Sequence, residues 1–132
     1  MPDPRFIHLR LHSEYSVTDG TVRIDAGKNH DCPPVLRAVE YGMPALALTD
    51  LSNLFGLVKF YTAARGKGVK PIFGADVFLS NKADQDRPYR LLLLCRSHRG
   101  YLQLCDLLTR AYQAPRVRGR VEITRQMLRE VG

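Results

Sequence analysis

Between Phe6 and His12 the apolar side chains Ile7, Leu9 and Leu11 alternate with His8, Arg10 and His12, the period-two pattern of a strand with one apolar and one polar face. An Asp19-Gly20 turn pair and an irregular stretch to Pro34 follow, then a short helix around Val35 to Tyr41 that Gly42 closes. From Ala45 to Thr49 the chain is almost continuously apolar, as in a strand buried on both faces, and Asp50 ends the run. Leu54, Leu57, Val58, Tyr61 and Ala64 then recur at helical spacing, with Ser52 as a candidate N-cap and Gly66 or Gly68 as the stop. Lys70 to Leu79 reads as strand. After the polar loop Ser80 to Arg87, Leu91 to Cys95 reads as a fourth strand, followed by a helix with Tyr101, Leu104, Cys105 and Leu108 on one face. Thr124 is placed to cap a last short helix through Met127 and Leu128.

Alternation of strands and helices predicts an α/β fold with about four parallel strands, in a sheet either open or curled toward a (β/α) barrel. A closed eight-stranded barrel takes roughly 250 residues. Four strands therefore make a partial barrel, an arc with exposed edges.

With 132 residues, 45% hydrophobic and 25% charged, the chain has the composition of one globular domain. No window approaches the roughly 18 apolar residues of a membrane span, and the first residues lack an apolar signal core, so a cytoplasmic protein with no membrane partner is expected. Cys32, Cys95 and Cys105 are an odd number without C-x-x-C spacing and read as reduced thiols. The net charge of +7 owes much to Arg110, Arg116, Arg118, Arg120, Arg125 and Arg129. These make either a solvated surface or a contact for DNA, with Arg116, Arg118 and Arg120 the candidates for phosphate contacts.

In parallel α/β folds ligands gather at the carboxyl ends of the strands. There the sequence offers His12 with Arg10 behind it, Asp19, Asp50 and Asp76. Brought together, three carboxylates and a histidine could bind a divalent cation such as Mn, Zn or Mg. Each aspartate also has a plainer explanation, since Asp19-Gly20 is ordinary turn chemistry and Asp50 precedes a helix as a cap would.

The wording of three segments is more specific. His8-Leu9-Arg10-Leu11-His12-Ser13-Glu14-Tyr15-Ser16 with Asp19-Gly20, then Gly42 through Pro44-Ala45-Leu46-Ala47-Leu48-Thr49-Asp50 to Asn53-Leu54 and Gly56, then Lys70-Pro71-Ile72-Phe73-Gly74-Ala75-Asp76, resemble the first three motifs of the PHP (polymerase and histidinol phosphatase) family in order. With the Leu57-Val58-Lys59-Phe60-Tyr61 helix, the resemblance is to PHP domains of bacterial replicative polymerases, the polymerase III alpha subunits. It runs from about Phe6 to Tyr112, and Ala26 to Pro34 reads as an insertion.

The resemblance implies the amino-terminal half of a PHP domain over residues 1–132, without the palm, fingers and thumb that carry polymerisation. Family members with an intact site hold a metal cluster for phosphoester hydrolysis or, in some polymerases, proofreading. Here the family's first histidine ligand falls at Arg10 and the one expected after Asp50 is Leu51, whereas His12, Asp19 and Asp50 are retained and Asp76 stands for a glutamate. A guanidinium cannot ligate a cation and repels one nearby. No bound metal and no catalytic residue are therefore expected. Arg10 instead either supplies the missing positive charge, its fork on Asp19, Asp50 or Asp76, or leans out to solvent. The implied role is a noncatalytic scaffold that packs against the rest of the alpha subunit and docks the proofreading exonuclease subunit, with the exposed positions of 53–65 and 101–112 as candidate contacts. A metal-dependent phosphoesterase using His12, Asp19, Asp50 and Asp76 is the competing reading.

Overall fold

The computed structural model describes residues 5–25 and 31–132, so the first five residues of the stretch read as an insertion lie outside it. Its elements are α1 (Pro33–Glu40), β1 (Ala45–Leu51), α2 (Leu57–Gly66), β2 (Lys70–Leu79), β3 (Tyr89–Leu94), α3 (His98–Gln113), β4 (Glu122–Ile123) and α4 (Arg125–Val131). β2 is central. β1 pairs with it in parallel, and β3 lies on its other edge. β4 pairs in parallel with Phe78 and Leu79, on the edge that β1 has left.

The mixed α/β class is as the sequence predicts, but β3 is antiparallel to β2 rather than parallel. The reason is loop length. A parallel return needs a crossover of about a dozen residues or more, usually a helix, and only the turn-rich segment 80–88 separates the two strands. β1 also runs on through Asp50 to Leu51, and the two-residue β4 carries no sequence pattern of its own.

Capping follows local chemistry. Ser97 and Thr124 accept from the amides of Gly100 and Met127 at 3.2 and 3.1 Å, opening α3 and α4, and Gly42 takes a left-handed φ of 68° just past α1. Ser52 is not the cap of α2. It has a φ of 56°, and the helix starts later at Leu57, after a turn in which Asn53 Oδ1 accepts from the Phe55 amide.

Partners across a ladder point to the same face. Leu46, Leu48, Phe73, Ala75 and Val77 therefore share the helix-covered face, where one cluster packs against α1 and α2 and a second against α3. Thr49, Leu51, Gly74 and Asp76 lie on the opposite face. Gly74 is required there, since a Cβ would run into the Leu93 carbonyl of β3.

Candidate functional site

The amino-terminal segment does not form the regular strand its alternation predicts. It runs beside β1, joined at a single His8–Leu46 bridge, with the amides of Ala47 and Thr49 donating to the carbonyls of His8 and Leu11 at 3.0 and 2.9 Å. Three residues of this segment match two of β1, which is a bulge, and a bulge re-aims the side chains beyond it. His8 accordingly stays away and touches the Phe6 ring. Arg10 and His12 both turn onto Asp76.

Asp76 is fully buried. Its Oδ1 accepts from Arg10 Nη2 at 2.8 Å, and its Oδ2 from Arg10 Nε at 2.9 Å, His12 Nε2 at 2.9 Å and Arg90 Nη2 at 3.2 Å. Of the carboxylates open as partners for Arg10, Asp76 is the one engaged, in a two-pronged fork. His12 Nδ1 lies 2.8 Å from Asp19, and Arg90 reaches Asp19 at 3.6 Å. Burial alone pushes the Asp76 carboxyl upward. The hydrogen bonds from Arg10, Arg90 and His12, with the charge of Arg90, outweigh it and hold the group below the ordinary aspartate value.

Asp50 belongs to a different arrangement. It pairs in register with Ala75, and Leu51 with Asp76, so Asp50 and Asp76 point to opposite faces of the sheet. A cage of neutral donors surrounds Asp50. The Ser13 amide donates at 2.6 Å, the Ser13 hydroxyl lies 2.8 Å from both carboxylate oxygens, and the Ser16 hydroxyl donates at 2.8 Å while accepting from the Leu51 amide. The loop that supplies these serines coils tightly, with the Ser16 amide bonded to the Ser13 carbonyl and the Asp19 and Gly20 amides to the Ser16 carbonyl. Gly20 is needed for this turn, because a Cβ would collide with the Ser13 carbonyl.

The structure thus brings together Arg10, His12, Asp19 and Asp76, sets Asp50 apart, and uses only the backbone of Leu51, whose amide donates to Ser16. Arg90, Ser13 and Ser16 are participants that sequence reading missed. The serines lie within the first motif. Arg90 pairs with Phe78 across the antiparallel ladder, which makes it a diagonal neighbour of Asp76 on one face; its guanidinium stacks on the Phe78 ring at 4.9 Å. As arranged, these residues do not fit a divalent cation. Both ring nitrogens of His12 and both oxygens of Asp76 are engaged, two guanidinium groups face the carboxylate, and among the described residues no three His, Cys, Asp or Glu side chains are grouped to hold a metal ion.

Half of the six arginines of the basic carboxyl-terminal segment face carboxylates, Arg110 among them through Asp106 and Glu130. Arg118 pairs with Asp86 at 3.3 Å, Arg120 with Glu122 at 3.1 Å and with the Gln85 carbonyl, and Arg116 stacks over Tyr112. Among the described residues no helix is long and apolar enough to cross a membrane.

A mixed sheet with a parallel β1–β2 pair, helices on one face and polar side chains from its strands on the other, is the fold of part of an α/β barrel. Two solved structures share it: an amidohydrolase from Chromobacterium violaceum, with bound sulfate and no metal (TM-score 0.50, 23% identity, 81% of this chain and 36% of that one), and a Bifidobacterium adolescentis protein assigned as a metal-dependent phosphoesterase (TM-score 0.51, 15% identity, 83% and 36%). The family is narrower than the fold. The model of the PHP domain matches residues 8–131, and the chain belongs to that family. It is similar to the DNA polymerase III subunit alpha of Neisseria meningitidis, 50% identical over 112 residues (85% of this chain), and to those of Vibrio cholerae, 45% over 123 residues (92%), and Escherichia coli, 45% over 113 residues (86%). The chain spans about a tenth of the length of these relatives, within their amino-terminal PHP region.

Proposed function

We propose that this chain is the amino-terminal half of the PHP domain of a bacterial replicative polymerase alpha subunit, and that it serves cytoplasmic DNA replication as a noncatalytic scaffold. Its relatives carry the name of that subunit over most of this chain. The observation that carries the noncatalytic part is the fork of Arg10 on the buried Asp76, at the position where the family resemblance places a metal-ligating histidine. A guanidinium there supplies the positive charge that inward carboxylates need while offering no lone pair and no activated water. What remains for such a domain is to hold the rest of the alpha subunit and to dock the proofreading exonuclease subunit. Direct DNA contact through Arg116, Arg118 and Arg120 is the weaker reading, because two of the three already face carboxylates.

Hydrolysis of bis(p-nitrophenyl) phosphate, measured with and without manganese for the chain and for Asp50→Ala, tests the noncatalytic claim. No manganese-dependent turnover is expected. Turnover that disappears in Asp50→Ala overturns the reading in favour of a phosphoesterase. The docking claim is tested by calorimetric titration with the cognate exonuclease subunit, and absence of heat under conditions where the intact alpha subunit binds counts against it.

A further inference from the structure

The helix layer has a gap between α2 and α3. Leu57, Val58 and Tyr61 form one wall, Ser97, His98 and Tyr101 the other, with Pro71, Phe73 and Cys95 beneath, around a cavity of about 450 Å³. Pro71 and Phe73 belong to the face of β2 opposite Asp76, so this groove is separate from the Arg10 cluster. Its floor and walls are an aromatic chain, with Tyr61 against Phe73 at 5.9 Å, Phe73 against Tyr101 at 6.4 Å and Tyr101 against His98 at 6.1 Å. Val58 at the lip is 76% exposed.

The lining contains Lys70, Arg96 and His98 and no acidic residue. Arg65 lies over Tyr61, and Arg99 follows His98. Whereas Arg10, Arg37, Arg90, Arg110, Arg118 and Arg120 each face a carboxylate, no ion pair joins Lys70, Arg96, Arg65 or Arg99 to an acid among the described residues. Lys70 and Arg96 in the lining, with Arg65 over Tyr61, thus place positive charge without an acidic partner around one apolar cleft, while Lys67, Lys82, Arg116, Arg125 and Arg129 also have no ion pair among the described residues.

We infer that this groove is a docking site for an acidic segment of a partner protein, one that seats apolar side chains on the Tyr61–Phe73–Tyr101 floor and brings carboxylates to Lys70, Arg96 and Arg65. Single-stranded nucleic acid fits less well. Base stacking needs free ring faces, and here the rings pack on one another, with the guanidinium of Arg65 over Tyr61. A protein segment needs only the cleft and the charge, and complementary charge at its rim sets partner choice and encounter rate.

The test uses the 132-residue chain against a pool of 16-residue peptides with fixed Asp and Glu positions and Leu, Ile, Phe or Tyr at two anchor positions. A Lys/Arg-substituted pool and a fluorescent dT20 serve as comparisons. Acidic peptides are expected to be retained, and their affinity by fluorescence anisotropy to fall about tenfold in Lys70→Glu/Arg96→Glu and to stay unchanged in Arg116→Glu. Amide shifts on peptide binding to the unsubstituted chain should fall on 57–61, 70–73 and 95–101, which keeps the test valid if the double variant misfolds. Failure to retain any acidic peptide, shifts elsewhere, or binding of dT20 that is lost in Lys70→Glu/Arg96→Glu would overturn the inference. None of these outcomes bears on the Arg10 cluster, so failure here leaves the noncatalytic reading standing.

Discussion

Arg10→Met removes the guanidinium fork and keeps most of the apolar stem. In the unsubstituted chain Asp76 is fully buried while the Arg10 side chain is 52% exposed, so the two halves of the pair differ in what their loss costs. On the arginine side the charge is screened by water, and exposed pairs contribute little. On the aspartate side Oδ2 keeps His12 and Arg90, but Oδ1 loses its donor inside the protein. An unsatisfied buried acceptor costs roughly 1–3 kcal/mol, so destabilisation of about 2 kcal/mol at pH 7 is expected from urea unfolding followed by circular dichroism. The pH dependence has a definite sign. Because the folded-state value of Asp76 is held below the ordinary one, the stability it contributes is complete above the unfolded-state value, near pH 4, and is lost as pH falls through the folded value. The difference between Arg10→Met and the parent should therefore shrink below about pH 4. A variant as stable as the parent at pH 7, or a difference that grows on acidification, would refute the reasoning.

Three further outcomes follow from the same geometry. Asp50→Ala leaves the Ser13 amide and the Ser13 and Ser16 hydroxyls without their acceptor in a buried site, and a loss of about 3 kcal/mol in urea unfolding is expected, with Asp50→Asn losing less. Gly20→Ala drives a methyl group into the Ser13 carbonyl and should unwind the loop that carries Asp19, read as faster amide exchange across 13–20. Arg118→Ser removes only an exposed pair with Asp86 and should change stability by less than about 1 kcal/mol.

Much of this fold was legible because its signals are local. The helical spacing of Tyr101, Leu104 and Leu108, the Thr124 cap and the Gly42 stop depend on neighbours a few residues away, and the structure has each of them. The direction of β3 was also within reach, since 80–88 is too short for a parallel crossover, but the apolar run Leu91 to Leu94 reads the same in either direction. The candidate site was only half legible. That Arg10 replaces a histidine is a matter of residue type and could be read directly. Its partner depends on register, because a shift of one residue in the β1–β2 pairing would put Asp50 and Asp76 on the same face. The bulge that separates His8 from Arg10 and His12 leaves the alternating pattern intact, and Arg90 enters only through the antiparallel hairpin.

The central claim, that an arginine takes the place of a metal in this PHP chain, is tested most directly by a crystal structure grown in manganese with anomalous data collected. The account predicts Arg10 within hydrogen-bonding distance of both Asp76 oxygens and no anomalous peak beside His12. A manganese ion bound by His12, Asp19 and Asp76, with Arg10 swung out to solvent, would contradict it.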